Sequence, residues 1–338
     1  MDVFLDRRLP DYFRSHSWQS IQHDPVAASA AFADFLGQRF GVIHGFSLAE
    51  LDRDFLSDLN FPQTWDFKKL QVDSLLGHGA SGAKKALLND GFHGDKAAYN
   101  HFVTQVQLLR RMCLQILSAI LPIKPTQVRL VTRFSETRME NLHYDQDAES
   151  DNHEAFRLYI NLDRSPRIWA TSYQMTELVQ LGGRRLVSDI DERSPGEMIL
   201  KRVMSRAFGG WNQRATERLA PRHMVYVDPG DVFFVDGRCV SHQVMTGHRV
   251  LSLYARIPHG SPRLAPTFAT KLRQALMVAK QVPPGGETAI VNYFEPRQVT
   301  AAPQLREEWG SVFGETQTGR IRRFDDSGAV ENRMGTAE

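Results

Sequence analysis

Between Gln127 and Pro258 the chain is dominated by short runs in which β-branched and aromatic residues alternate with polar ones, the period-two pattern of half-buried strands. The runs VRLVTRF, FRLYINL, VYV, VFFV and RVLSLYARI are set apart by turn chemistry, with Asp228-Pro229-Gly230-Asp231 ahead of VFFV and Asp236-Gly237 after it. Outside this stretch the apolar period lengthens. Helical spacing over Val26 to Phe40, Leu48 to Leu59, Asp95 to Leu121 and Ala265 to Val282 predicts helices on either side of the strands. Asp95 is placed to cap the longest of them, and Pro283-Pro284-Gly285-Gly286 ends the last. A polar, partly helical insertion from Ser172 to Leu219 interrupts the strands. Its length, with Gly182-Gly183 and Gly209-Gly210 inside it, marks it as a candidate lid. From Gly314 onward the chain is polar and poor in aliphatics, which predicts a flexible tail.

Many short strands punctuated by Pro-Gly and Asp-Gly are the sequence form of a double-stranded β-helix. The predicted fold class is therefore α+β with a mainly β core, a jelly roll or cupin-like barrel with flanking helices. The expected organisation is one catalytic domain over 1–282, followed by a partly flexible extension over 283–338. Within the domain, N-terminal helices fill 1–121, the jelly-roll core 127–258 carries the insertion 172–219, and a C-terminal helix occupies 265–282. In such a barrel, residues far apart in sequence converge on one lumen.

Composition narrows the function classes. With 338 residues and 42% hydrophobic content the chain can bury one large core. A net charge of +2 argues against a nucleic-acid footprint and against a polybasic membrane anchor. Two cysteines, Cys113 and Cys239, do not make a disulfide framework, and both read as small buried residues in a reducing interior. No stretch approaches the roughly 20 apolar residues of a membrane span, and MDVFLDRRLPDYF lacks the basic-then-apolar form of a secretion signal. A soluble, cytoplasmic protein is expected.

The chemistry is carried by histidines and carboxylates. With 12 His and 39 acidic residues, about 1.4 His-x-Asp/Glu triplets are expected by chance, so a triplet alone says little. Two occur. In His93-Gly94-Asp95 the acid is explained as the helix cap. His143-Tyr144-Asp145 instead sits between VRLVTRFSETRMEN and the strand FRLYINL, and His242 follows VFFV in VSHQVMTGHRVLSLYARIP. Two imidazoles and one carboxylate hold a ferrous ion while leaving half of its coordination sphere open. For His242 taken by itself, a buried strand histidine bonded to a carbonyl is the competing reading.

LHYD at 142–145, FRLYINLDRSPRIW at 156–169, PGDVFF at 229–234 and SHQVMTGHRVLSLYARIP at 241–258 together resemble the Fe(II)/2-oxoglutarate-dependent oxygenases. Within that superfamily the chain is most similar to the Kdo hydroxylases, which act on the acidic eight-carbon sugar of the lipopolysaccharide inner core. The resemblance covers Leu130 to Lys280 well and the N-terminal third weakly. It implies Fe(II) held by His143, Asp145 and His242, with 2-oxoglutarate and O2 as co-substrates and hydroxylation of a C–H bond as the outcome. Halide-transferring relatives carry a small residue at the Asp145 position, so Asp145 implies hydroxylation over halogenation.

The distal carboxylate of 2-oxoglutarate calls for a guanidinium. Arg256, fourteen residues after His242, shares a predicted strand face with Ser252 and Tyr254, whereas Arg249 falls on the other. An arginine at Arg256 departs from the Kdo hydroxylase pattern, and Arg157 competes for the same role. Arg133, Arg138, Asn161, Arg167 and Trp169 are candidate substrate contacts, forming a positive, partly aromatic mouth. The expected partner is a small molecule, with no nucleic acid and no integral membrane segment. Kdo or a related acidic sugar is the leading substrate; a free amino acid or a natural-product intermediate is the alternative. A lipid-linked sugar would require peripheral contact with the inner membrane. A non-catalytic or zinc-binding cupin-like module is the reading from another class.

Overall fold

Along Val250–Pro258, Leu251, Leu253, Ala255 and Ile257 turn into an apolar core, while Val250, Ser252, Tyr254 and Arg256 line a cavity on the opposite side. That alternation is the two-residue period of a strand with one wet and one dry face. The computed structural model describes residues 1–6, 8–61, 70–72, 81–134, 137–138, 142–145, 151–208, 221–258, 267–281, 320–324 and 330–334. Among them, two seven-stranded sheets face each other, the first antiparallel and the second mixed.

The first sheet runs in the order β14 (Val330–Met334), β13 (Arg320–Phe324), β1 (Asp2–Leu5), β9 (His223–Val227), β8 (Arg167–Gln174), β11 (Val240–Gly247) and β6 (Thr137–Arg138). The second runs β2 (Phe13–Ser17), β3 (Phe40–His44), β10 (Val232–Val235), β7 (His153–Asn161), β12 (Val250–Pro258), β5 (Gln127–Arg133) and β4 (Leu70–Gln71). Pairing is antiparallel except between β2 and β3. Inward-facing Val3, Phe40, Trp169, Val225, Phe233 and Val244 fill the space between the sheets. The result is a jelly-roll-like core flanked by helices.

Helices cover the outer face of the second sheet. They are α1 (Trp18–His23), α2 (Pro25–Leu36), α3 (Arg53–Asp58), α4 (Ser81–Ala86), which continues into a π-helical turn at Leu87–Gly91, and α5 (Lys96–Ile120). Asp95 caps α5, accepting hydrogen bonds from the amides of Ala97 and Ala98 at 2.9 and 3.0 Å. Phe102, Val106, Leu109, Cys113, Ile116, Leu117 and Ile120 form its buried stripe at helical spacing, in one core with Leu158, Ile160, Leu251 and Leu253. Each such fully buried large side chain contributes about 1.5–3 kcal/mol. The helical layer therefore fixes β7 and β12, the strands that present Arg157 and Arg256 to the cavity.

Several expectations need correction. The region expected to hold only N-terminal helices also supplies β1, β2, β3 and β4. The helix expected over Val26 to Phe40 stops at Leu36, because Gly37 caps it and Gln38 takes a φ of 61°, turning the chain into β3. Leu48 to Leu59 condenses to the short α3, capped by Asp52. In the insertion, β8 runs on to Gln174, and α6 (Met175–Val187), kinked at Gly183, and α7 (Gly196–Phe208) follow. Leu178, Val179, Ile199 and Val203 pack in one core with Phe268, Leu272 and Leu276 of α8 (Phe268–Gln281). Residues 175–208 thus form a built helical layer, and none of them lines the cavity. Gly209 and Gly210 lie outside the described residues. The tail expected to be flexible contributes the β13–β14 hairpin, which pairs with β1. Cys113 and Cys239 are free and buried. Among the described residues, no helix is long and apolar enough to cross a membrane.

Candidate metal centre and its cavity

His143 and His242 meet as a cross-strand pair. The His143 amide donates to the His242 carbonyl at 3.0 Å and the His242 amide donates back at 2.8 Å. Directly opposed residues present their side chains to the same face, and the two imidazole centroids stand 4.6 Å apart. Alternation explains the gap in His143-Tyr144-Asp145. Tyr144 is fully buried with its hydroxyl donating to the Tyr173 carbonyl, while Asp145 returns to the histidines' side, its amide donating to the Gly237 carbonyl at 2.8 Å.

Asp145 Oδ1 lies 3.8 Å from His143 Nε2, and Oδ2 lies 3.6 Å from His242 Nε2. All three donor atoms fall within 4.8 Å of one another. Two ligands at right angles on bonds of about 2.1 Å sit about 3.0 Å apart, so each carboxylate–imidazole pair closes onto one ion with a shift of less than about 1 Å, and the widest pair of donors with up to about 1.8 Å. His242 Nδ1 is 3.1 Å from the Val240 carbonyl. Donation there leaves the Nε2 lone pair directed at the shared point. Burial pushes His242 down to about 4, with the Asp145 charge opposing and His143 reinforcing the shift. The imidazole is therefore neutral, the form that binds metal, across the ordinary pH range. Trp169 stacks on it, centroids 5.2 Å apart and planes 14° from parallel.

The carboxylate rests on Gly237. A Cβ there would stand 1.9 Å from Asp145 Oδ2 and 3.2 Å from His242 Cε1, so only glycine leaves this cradle open. Behind the turn, Arg238 is 1% exposed and bonds Asp236 through Nε at 3.1 Å and Nη2 at 2.7 Å, the His153 carbonyl at 3.0 Å and Glu154 at 3.4 Å. Glu154 in turn accepts from the Phe268 amide at 2.7 Å, tying the turn to β7 and α8. Sequence reasoning missed Gly237, Arg238 and Glu154. Asp236-Gly237 carries an ordinary turn signal, and nothing local marks it as the support of a site. In front, Arg157 forms an ion pair with Asp145, and its Cζ lies 4.7 Å from the Tyr254 ring centroid. Burial is the largest influence and opposes its charge, but Asp145, joined by Tyr159, Tyr254 and Asp236, together outweigh it, and the guanidinium is held above its ordinary range.

A cavity of about 700 Å³ opens around these groups. Arg129, Arg133, Arg157, Arg167 and Arg256 line it, and Asp145 is the single carboxylate among the described lining residues. Strand register orders them. Val250 is flanked by Arg133 and Asn161, Ser252 by Val131 and Tyr159, Tyr254 by Arg129 and Arg157, and Arg256 by Gln127 and Ala155. Arg129 is exposed, whereas Arg167 is 2% exposed and packs so closely on Gly247 that a Cβ there would lie 2.6 Å from its Cγ. The mouth therefore lies at the Arg129 and Arg256 end, and the floor at the Arg167 and Arg133 end.

Of the residues singled out from sequence, His143, Asp145, His242, Arg157, Ser252, Arg256, Arg133, Arg167 and Trp169 all border this cavity. Asn161 does not. It is 1% exposed, its Nδ2 donating to the Ser165 and Val227 carbonyls at 3.0 and 2.8 Å and its Oδ1 accepting from the Asp163 amide at 3.1 Å, so its polar atoms are spent on a turn. The Arg138 side chain lies outside the described residues. Arg249 pairs with Asp163 at 3.2 Å and donates to the Leu59 carbonyl, away from the cavity as strand parity requires.

No family model matches the chain, and no curated protein matches it. Solved structures do. The Kdo hydroxylase KdoO, a non-heme Fe(II) α-ketoglutarate-dependent dioxygenase, superposes in its complex with α-ketoglutarate and Fe(III) at a TM-score of 0.54 and 13% identity, over 78% of this chain and 94% of that one. Its complex with succinate and Fe(III) gives 0.54 and 13% over 79% and 94%, and its cobalt(II) complex 0.55 and 12% over the same shares. At such identities the likeness is one of fold.

Proposed function

We propose that the chain is an Fe(II)- and 2-oxoglutarate-dependent dioxygenase that hydroxylates a small anionic substrate. One observation carries this reading: His143, Asp145 and His242 converge within 4.8 Å, with one imidazole oriented by a carbonyl, at the wall of a cationic cavity. A facial set of two imidazoles and one carboxylate suits ferrous iron and leaves three positions for a chelating keto acid and dioxygen. When bound, that group supplies an oxidant able to convert a C–H bond to an alcohol, with 2-oxoglutarate leaving as succinate and carbon dioxide.

The protein's own residues hold, orient and exclude water. Trp169, Tyr159 and Phe233, in mutual edge and stacked contact, form a dry wall beside His242. The distal carboxylate of 2-oxoglutarate is best met at the floor, where Arg167 is buried and Ser252 and Arg133 stand close along the register. This reassigns Arg256. It stands at the mouth with Arg129, where it suits the substrate's anionic group, and Arg157 is engaged by Asp145. Kdo or a related acidic sugar fits this charge and the fold likeness. An amino acid fits less well, because its ammonium would meet a lining of five guanidinium groups and one committed carboxylate.

The test is anaerobic addition of Fe(II) and 2-oxoglutarate, expected to give a visible metal-to-ligand charge-transfer band, followed by a succinate-release screen over acidic sugars and amino acids. His143→Ala should lose both signals with the fold intact. Tight zinc binding without the band would favour a binding module instead.

A further inference from the structure

We propose that Arg157 is a positioning residue that restricts Asp145 to one-oxygen coordination, keeping its second oxygen off the ion so that the positions a keto acid needs stay open. This rests on the metal-site reading above. Both oxygens of Asp145 border the same point, Oδ1 facing His143 Nε2 at 3.8 Å and Oδ2 facing His242 Nε2 at 3.6 Å. A carboxylate so placed can bind an ion through both oxygens, which would fill one of the three open positions. The backbone contact that Asp145 makes through its amide favours neither oxygen among the described residues. The Asp145 amide is spent on the Gly237 carbonyl, and Gly237 leaves space beneath Oδ2.

Arg157 makes the choice, because its Nη1 pairs with Oδ2. The reach of this guanidinium is set by sheet geometry. β7 is held between β10 and β12, with Arg157 opposite Val235 on one side and Tyr254 on the other, and the Tyr254 ring lies beneath its Cζ. The same arrangement opposes metal binding, since a buried guanidinium stands beside the ion's position and competes for its anionic ligand. Arg157 thus weakens the ion's hold and preserves its open face.

Arg157→Met keeps a long apolar stem and removes the charge and the donors. Three consequences share one sign: the repulsion disappears, Oδ2 becomes free to chelate, and metal-free Asp145 loses its counter-charge. The experiment titrates Co(II) into wild type, Arg157→Met and Arg157→Lys, and then 2-oxoglutarate into each cobalt-loaded protein, with thermal melting as the folding control. Arg157→Met should bind Co(II) at least about fivefold tighter and 2-oxoglutarate at least about fivefold weaker, with a cobalt absorption spectrum changed by the added ligand oxygen. Arg157→Lys, which retains the charge, should lie closer to wild type on both axes. Unchanged Co(II) affinity with weakened 2-oxoglutarate binding would make Arg157 the co-substrate's anchor and overturn the proposal. Loss of both affinities would make its role structural and overturn it equally. Failure of the underlying reading looks different: wild type would not bind Co(II), or His242→Ala would bind it as well as wild type.

Discussion

Gly237→Ala isolates the metal site from the fold. The added methyl would lie 1.9 Å from Asp145 Oδ2, whereas real Cβ atoms essentially never approach within 3.0 Å of such a neighbour. The carboxylate must therefore retreat by about 1 Å or more, beyond the tolerance of a coordination bond. Gly237 is not among the glycines with positive φ, so alanine can adopt its backbone, and the stability change in the metal-free protein should stay within about 1 kcal/mol, or roughly 2 °C in melting temperature. Displacing one of three protein ligands should weaken Co(II) or Fe(II) binding by about 100-fold, near 2.7 kcal/mol. Calorimetric titration of the metal and thermal melting of the metal-free protein read the two effects separately. Metal affinity equal to wild type in a folded Gly237→Ala protein would show that Asp145 is not a ligand, and the cradle argument would fall with it.

Arg167→Met should raise the KM for 2-oxoglutarate by about 100-fold, near 3 kcal/mol for a lost charge-assisted pair, while Co(II) affinity stays unchanged; an unchanged KM would return the anchor to the mouth arginines. Arg238→Met leaves Asp236 and Glu154 without their shared buried cation, so chemical denaturation should show a loss of about 3–5 kcal/mol. Burial pushes both His242 and His223 down to about 4. Between pH 6.5 and 4 the unfolded chain takes up protons that these folded imidazoles refuse, so their contribution is full above 6.5 and is lost as pH falls, about 2 kcal/mol each at pH 5. Glu177 acts in the opposite sense between pH 7 and 4.5, since burial raises it to about 7 and the folded state then holds the extra proton. Denaturation of metal-free protein at pH 8 and pH 5 should therefore show a steeper acid loss in Glu177→Gln than in wild type, and equal slopes would refute the burial assignments.

The strands that carry the site were legible because each presents one face to a packed core. In RVLSLYARI the parity of Ser252, Tyr254 and Arg256 against Leu251, Leu253 and Ala255 is written in residue type, and the fold keeps it. The same parity removes Arg249 from the cavity. β1 and β2 were not legible, since DVFL and FRSHS are too short for a period to show and depend on partners more than 20 residues away, Val225 and Val42 among them. The helix over Val26 to Phe40 overran because Phe40 suits a helical stripe as well as a strand, and only the backbone turn at Gln38 decides between them.

At the site, residue type revealed which groups do chemistry but not where each one stands. Asn161 has the right polarity and the right strand face, yet every polar atom is drawn into the turn after β7, an outcome fixed by Ser165, Asp163 and the distant Val227. Arg167 and Arg256 look alike in sequence, two arginines on strands flanking one lumen. What separates them is depth, and depth depends on which end of the barrel the β11–β12 turn closes. Gly247, the last residue of β11 before that turn, lies against Arg167, so the strand that brings His242 to the metal also buries the guanidinium at the floor. A co-substrate reaching from the metal toward Arg167 therefore runs along β11 and β8, leaving the Arg129 and Arg256 end of β5 and β12 as the side from which a second anion can approach. Charge-reversing Arg256 and Arg167 one at a time should accordingly separate substrate affinity from co-substrate affinity, whereas an anchor at the mouth would make both variants lose 2-oxoglutarate together.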